Sequence, residues 1–415
     1  MARTKQRQQQ QSHAHHYVPQ WYQRRFLPVG VTRFKYLDRN PETVERDGFR
    51  HQRRAILNWG PPNCFYKEDL YTLKFRAQTS DAMERIFFGE IDRRGLKAVE
   101  HFAEFSGLTE STPTAFRNLV PYMGAQRFRT PRGLDDIREA AHFLSDSSNA
   151  VLAALQSSFQ SYGTMWTEGV WEIVRATRTR TKFLLTDDPV TFYCKLVFPS
   201  EWTYPNDVSL KQIGTRTLFP LSLDSCLIIT HLELTRKPDT TPTQSRTNAR
   251  FYDHTVKHLG QIQFGRELDE DEVLRINYVL KRRSTRYIAA AEEEWLYPER
   301  HASSTDWKLL DDDWFLLPNL WRIGFTTSIM FGGGKSGNFA MDEHGYKPWQ
   351  GGYQDEQRRN EEWEKFEAAK RKWAKKRIGK SRARNDERAG RDIADELINE
   401  YLEEEGTLKE QLSNQ

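Results

Sequence analysis

The spacing of apolar positions changes several times along the chain, and each change predicts an element. Val31 to Arg39 (VTRFKYLDR) alternates apolar and polar residues, the mark of a strand with one exposed face. The turn residues of GPPNCFY follow at Gly60 to Tyr66. From Ser80 the spacing lengthens: Met83, Ile86, Phe87, Ile91, Leu96 and Val99 predict an amphipathic helix capped by Ser80 or Asp81. A second helix is expected over Thr112 to Phe128, with Pro121 forcing a kink or break because it lacks an N–H and crowds the preceding turn. One or two further helices run to about Phe159.

Period two then returns. GVWEIVRATRTRTKFLLTDDPVTFYC reads as strand, basic turn, strand, acidic turn, strand, and TRTLFPLSLDSCLIITHLE continues the β-rich stretch to about Glu233. Helical spacing resumes over Thr241 to Leu259 and again from Asp269, where acids at the start and bases further on suit the helix dipole. The body closes near Pro298; Trp307 to Trp349 is irregular. The expected fold is therefore α+β, a mainly helical body with a small, mostly antiparallel sheet between about Arg175 and Glu233. The expected organisation is a disordered basic lead (1–14), the α+β domain (15–300), a Trp/Gly-rich irregular segment (301–353) and a charged helical tail (354–415).

Composition refines this picture in three ways. Apolar residues are scarce at 37%, but 12 Trp, 16 Tyr and 24 Phe can still build a core, since each ring buries roughly 150–250 Å². A net charge of +4 is too mild to imply a polyanion partner without local clustering. Cys64, Cys194 and Cys226 are odd in number and far apart, which excludes a disulfide framework or a CxxC metal knuckle and suits a reducing compartment. The apolar runs fall short of a membrane span and the first residues lack a signal-peptide core. The expectation is an intracellular protein, cytoplasmic or nuclear, with no membrane partner.

In order along the chain stand HHYVPQWYQRRF, Phe65-Tyr66, FFGEIDRR around Glu90, AQRFRTPR (Ala125 to Arg132), FLLTDDPV (Phe183 to Val190), LFPLSLDSCLII (Leu218 to Ile229) and TNARFYDH (Thr247 to His254). This series resembles the DUF4238 family over roughly residues 15 to 300, and the charged C-terminal extension resembles that of fungal members. Gln23 departs from the family's usual Leu, Thr186 from its Ser and Asp188 from its Asn; the added charge at Asp188 alters the local field. The resemblance implies a fold neighbourhood and a set of positions, with no reaction attached.

Three of those positions bear candidate chemistry. Asp187 ends an apolar strand, where a side chain is held rigidly; it is either a catalytic or metal-binding acid or the acceptor of an Asx-turn. Glu90 edges an apolar helix face and needs a cationic partner, with Arg127, Arg129 and Arg132 on offer. His16 lies beside Tyr17 and Pro19, whereas His13 and His15 are assigned to the mobile lead. If His16, Glu90 and Asp187 converge, their nitrogen and oxygen atoms suit a divalent metal such as Mg²⁺, Mn²⁺ or Zn²⁺. Arg129 would then join Glu90 and Asp187 as a catalytic group, with Arg175, Arg178, Arg180 and Lys182 holding a phosphoryl group of nucleic acid. The rival is a polar network that pins an N-terminal strap: His16 to an acid, Arg129 to Glu90, Asp187 to backbone.

The basic run KRKWAKKRIGKSRAR (Lys370 to Arg384), including Lys375, Lys376 and Arg377, suits a nucleic-acid backbone or a solvated helix neutralised by Asp392 to Glu405. FGGGKSGN (Phe331 to Asn338) lacks the following helix of a phosphate-binding loop and reads as a flexible loop. Two functions stay open: a metal-dependent hydrolase acting on nucleic-acid phosphodiesters, or a non-enzymatic binding or scaffold protein contacting nucleic acid or a protein through its basic tail.

Overall fold

Two sheets and a layer of helices organise the described residues, which in this computed structural model are 14–46, 49–68, 73–75, 78–80, 89–142, 148–199, 208–246, 259–323, 330–334, 337–341 and 346–383. The N-terminal part contains β1 (Ala14–His16), α1 (Gln20–Arg24), β2 (Phe34–Asp38), the ribbon β3 (Thr43–Arg46) and β4 (Phe49–Gln52), β5 (Ile56–Trp59), β6 (Tyr66–Glu68), and a second ribbon, β7 (Leu73–Phe75) and β8 (Gln78–Ser80). Helices α2 (Gly89–Ala103), α3 (Thr112–Phe128), α4 (Pro131–His142) and α5 (Ser148–Glu168) follow. Then come β9 (Val170–Arg175), β10 (Leu185–Thr186), β11 (Thr191–Tyr193), β12 (Arg216–Ser222), β13 (Ser225–Thr230), α6 (Leu232–Arg236), β14 (Gln263–Glu267), α7 (Glu270–Arg283) and β15 (Tyr287–Ala290). The hairpin β16 (Met330–Gly334) and β17 (Gly337–Met341) precedes the long helix α8 (Glu356–Ala383).

The larger sheet has the order β11-β12-β13-β9-β14 and the smaller one β10-β15-β2-β5. Among the described residues, only the β14–β9 pairing is parallel. The fold is α+β, with more sheet than the sequence pattern suggested. The excess arises because β2, predicted as an exposed strand, pairs on both sides, with β15 and with β5.

Aromatic rings join the helices to the larger sheet, as the composition requires. Trp171 on β9 meets Phe102 of α2 at 5.7 Å and Phe116 of α3 at 4.9 Å between ring centres. Helices α2 and α3 approach so closely that a Cβ on Gly95 would fall 2.4 Å from the Tyr122 ring. The α3 helix matches its expected bounds and runs through Pro121 without ending. Helix α7 starts on a capping box, in which Asp269 accepts from the Glu272 N–H while the Glu272 carboxylate accepts from the Asp269 N–H.

Several expectations change. Ser80 closes strand β8 rather than capping a helix, and α2 is described from Gly89. The helical stretch up to Phe159 is two helices, the second reaching Glu168. His15 is not in a mobile lead: it is buried on β1, opposite Lys67. Within FGGGKSGN, Phe331–Gly334 lie on β16 and Gly337–Asn338 on β17, where a loop was expected; Lys335 and Ser336 lie outside the described residues. The helix expected over Thr241 to Leu259 and the closing acidic helix lie largely or wholly outside the described residues.

The segment after Pro298 is integral to the body. Trp307, Leu310, Phe315 and Leu316 enter the main core, while Trp314, Leu317, Leu320 and Ile323 form a second core with Phe366, Ala369, Trp373 and Ala374 of α8. The i, i+3, i+7, i+8 spacing of those four α8 residues makes one apolar stripe. The basic helix is thus docked through that stripe, not a separate tail. Phe366→Ala should lower unfolding stability by about 3–5 kcal/mol, measured by urea denaturation, whereas a free tail would show no change.

Candidate functional site

Some of the residues that the sequence singled out, His16, Asp187 and Arg129, belong to the frame that holds the N-terminal segment, and none of them forms a metal centre with the others. Strand β1 pairs antiparallel with β6, and the Tyr17 N–H donates to the Phe65 carbonyl at 3.1 Å. Phe65 takes a left-handed backbone with φ 51°, and its N–H donates to the Tyr36 hydroxyl at 3.3 Å. Beyond β1 the segment is held by side chains reaching its carbonyls. The Gln126 amide donates to Tyr17 O at 2.9 Å. Gln23 donates to Val18 O at 2.8 Å and Cys64 O at 3.2 Å, which explains an amide where the family has Leu. The Tyr22 hydroxyl donates to Pro220 O, and its ring stacks on Phe219 at 5.7 Å.

Asp187 lies just past β10, fully enclosed. Its carboxylate accepts three consecutive backbone N–H groups, Thr285 at 2.8 Å, Arg286 at 2.6 Å and Tyr287 at 2.8 Å. Burial pushes this carboxyl up to about 6, against those three bonds, which pull it down. The turn it organises is also tied to β2, because Arg286 forms a two-pronged pair with Asp38 at 2.9 and 2.7 Å.

Asp188 is buried too and pairs with Arg127 of α3. The Arg127 guanidinium lies 4.8 Å from the centre of the Phe192 ring and 3.7 Å from Asp136. The negative charge that departs from the family pattern is therefore neutralised locally. After Arg127 the chain turns from α3 into α4: Thr130 accepts from the Gly133 N–H at 3.1 Å. A Cβ on Gly133 would sit 2.2 Å from the Arg127 carbonyl oxygen, so this bend requires glycine.

The proposed metal ligands are not brought together. Among the described residues, no three His, Cys, Asp or Glu side chains form a group able to hold a metal ion. His16 is half-buried and its Nε2 is 3.1 Å from Pro62 O; desolvation lowers its pKa from the ordinary histidine value. Its expected acid partner is replaced by that backbone carbonyl. Glu90 sits at the exposed start of α2 and pairs with Arg93 at 2.8 Å and Arg94 at 2.7 Å; their hydrogen bonds hold its carboxyl below the usual range. Arg129 pairs with Asp92, at 2.7 and 2.8 Å, and with Gln126. Helical geometry explains both outcomes: residues three and four apart are neighbours, whereas Glu90 and Asp92 face different directions.

The expected phosphate contacts are also mostly engaged. Arg175 donates to the carbonyls of Ala103 and Phe105. Arg180 pairs with Glu294 at 2.7 Å and Lys182 with Asp224 at 2.6 Å. Lys376 donates to Asp312 O at 2.9 Å, and Arg377 pairs with Glu272 at 2.7 Å. Arg178 and Lys375 are exposed without a partner among the described residues.

The sequence reading missed a different cationic feature. Arg236, Lys237, Lys365 and Lys372 line an open cleft of about 380 Å³ between α6 and α8, with Asp239 as the acid in its lining. Lys372 pairs with Asp239 at 3.0 Å, and Lys237 reaches Glu362 at 2.7 Å. Helical spacing on α8 (Lys365, Ala368, Lys372) was the available signal; the approach of Arg236 and Lys237 was not visible in it.

The DUF4238 family, described as a protein family of unknown function, matches residues 14–294. The chain belongs to the DUF4238 family. No curated protein and no solved structure matches it. The DUF4238 region contains the whole clamp, from β1 through Asp187 and Asp188 to β15, whereas α8 and the α8 side of the cationic cleft lie beyond it. No helix among the described residues is long and apolar enough to cross a membrane.

Asp188→Ala should lose about 3–5 kcal/mol of stability because it strands a buried guanidinium, while Glu90→Gln should leave the urea midpoint unchanged; equal losses would contradict this assignment. For Asp187, the unfolded chain ionises first as pH rises and the folded carboxyl only near 6. Its contribution to stability therefore falls between about pH 4 and pH 6. Denaturation midpoints across that range should show this decline in the wild type and its absence in Asp187→Asn.

Proposed function

We propose that this chain is a non-enzymatic binding protein that engages the phosphate backbone of nucleic acid through the face formed by α6 and α8. One observation carries the reading: α8 is anchored by its apolar stripe and leaves Lys365 and Lys372 opposite Arg236 and Lys237 around an open cleft. Arg236 lies buried beneath the cleft, and Lys237, Lys365 and Lys372 against Asp239 in the lining and Glu362 beside it leave an excess of positive charge at the surface. A rigidly held cationic face attracts a polyanion through counterion release and loses little side-chain freedom on binding. The hydrolase reading has weaker support, since its acids and its imidazole are each occupied by separate partners.

An intracellular location fits the same picture. Cys64, Cys194 and Cys226 are unpaired and buried, and burial pushes the Cys64 thiol up to about 12, which keeps it unreactive.

Deleting the residues after Gln354 would remove Phe366 and Trp373 from a core, so charge reversal is the cleaner test. Lys365→Glu with Lys372→Glu should weaken duplex DNA binding and reduce the slope of log affinity against log salt by about 1.8, from two lost phosphate contacts. Fluorescence anisotropy over a salt series measures both. An unchanged slope and affinity would exclude this face as the contact.

A further inference from the structure

The exposed ridge of α8 is sorted by charge. Glu361 and Glu364 stand at its start, and Lys365, Arg371, Lys372 and Lys375 follow at spacings of three, four and seven that place them on one helical face. Lys365, Arg371 and Lys375 are exposed without a partner among the described residues, and Lys372 meets Asp239, itself open to solvent. Between Lys365 and Lys372 the cleft is apolar, lined by Ala368, Ala369 and Pro238.

The sequence after α8 carries the complementary pattern. Residues 392–405 (DIADELINEYLEEE) contain seven acids and no base. At helical spacing, Ile393, Leu397 and Tyr401 repeat as i, i+4, i+8, and Glu396, Glu400 and Glu403 run beside them as i, i+4, i+7. An apolar row flanked by an acidic row matches a floor of small apolar side chains rimmed by lysines. The distance is short enough. Lys372 lies eleven residues, about 17 Å, back along α8 from Ala383, and the connecting residues 384–391 extend up to roughly 27 Å. A connection of that length is ordinary between antiparallel helices. A tethered partner meets the cleft at an effective concentration on the order of millimolar, so ion pairs of surface strength are enough to hold it there.

We propose that residues 392–405 dock as an antiparallel helix in the α6–α8 cleft, and that nucleic acid must displace them to bind. The apolar row lies against Ala368 and Ala369, and the acidic row meets Lys365 and Lys372. This inference rests on the nucleic-acid reading of that cleft and adds its regulation. The segment offers carboxylates where nucleic acid offers phosphates, so the two cannot share the same lysines.

The test has two arms, both with the full chain. In the first, zero-length carbodiimide coupling of mixed unlabelled and isotopically labelled protein should join Glu396, Glu400 or Glu403 to Lys365 or Lys372 within one chain, read by peptide mass spectrometry. In the second, the triple variant Glu396→Gln, Glu400→Gln, Glu403→Gln should bind duplex DNA roughly tenfold more tightly than wild type in fluorescence anisotropy, the gain expected from releasing three exposed ion pairs. Glu110→Gln, Glu292→Gln, Glu293→Gln makes the same change in net charge at exposed sites elsewhere and should tighten binding far less. Duplex binding without the coupling, or coupling only between chains, overturns the docking and leaves the cationic face as the contact. An equal gain in the two triple variants overturns it as well, by reducing the effect to net charge. Coupling within one chain while neither wild type nor variant binds duplex overturns the nucleic-acid reading and the competition with it.

Discussion

Two adjacent carboxylates couple the layers of this fold. Asp187 and Asp188 sit in a bend just past β10 and engage different parts of the fold. Asp187 gathers the N–H groups of Thr285, Arg286 and Tyr287, fixing the entry to β15 and thereby the smaller sheet. Asp188 pairs with Arg127 near the end of α3, fixing the helical layer. Neither charge survives burial without such partners, because desolvation costs several kcal/mol per ion. Sheet and helices must therefore both be in place before either acid is satisfied. That interdependence favours one arrangement over looser packings of the same aromatic core.

The N-terminal strap depends on the same frame. A segment with one short strand cannot satisfy its own backbone, and buried carbonyls left unpaired are costly. Gln23 and Gln126 supply the missing donors to Tyr17, Val18 and Cys64. Gln126 stands one residue before Arg127, so the helix turn that meets Asp188 also positions the amide that meets the strap. Arg129, two residues further on, holds the Gln126 carbonyl oxygen in return, which orients that amide.

Much of this was readable in the sequence, and the misses have physical causes. Alternation and helical spacing located α3, α7 and the strand series around TDDP, because each rests on local periodicity. The backbone-accepting role of Asp187 was one of two readings, but as a local Asx-turn; the donors instead come from Thr285, Arg286 and Tyr287, about a hundred residues away, which no local pattern reveals. The pairing of Arg129 with an α2 acid was foreseen in kind but placed on Glu90. A one-dimensional pattern shows that a carboxylate needs a cation, yet the choice between Glu90 and Asp92 depends on which side of α2 faces α3. His16 failed as a ligand for a similar reason: the carbonyl of Pro62 comes from a turn 46 residues away. The four-stranded sheet escaped notice because its members come from the start, middle and end of the family region, and pairing between distant strands leaves no local signature.

The charged C-terminal helix shows how context reverses a compositional reading. Counted along the chain, Lys370 to Arg377 is a basic run that suits a flexible polyanion tether. Folded, its members part company. Lys370 is buried among aromatic rings, with Phe366 at 4.7 Å and Trp321 and Trp363 at 5.3 Å, while Arg377 is taken up by Glu272. The helix is consequently held on the body partly by the charges that composition would assign to a ligand. What remains outward is a narrower face of Lys365 and Lys372, joined by Lys237 from the end of α6. Fewer outward cations reduce the electrostatic reach, but their fixed positions lower the ordering cost that a flexible tail would incur on binding. The physical character of the surface is thus set by the apolar stripe beneath it, which decides which lysines face the solvent.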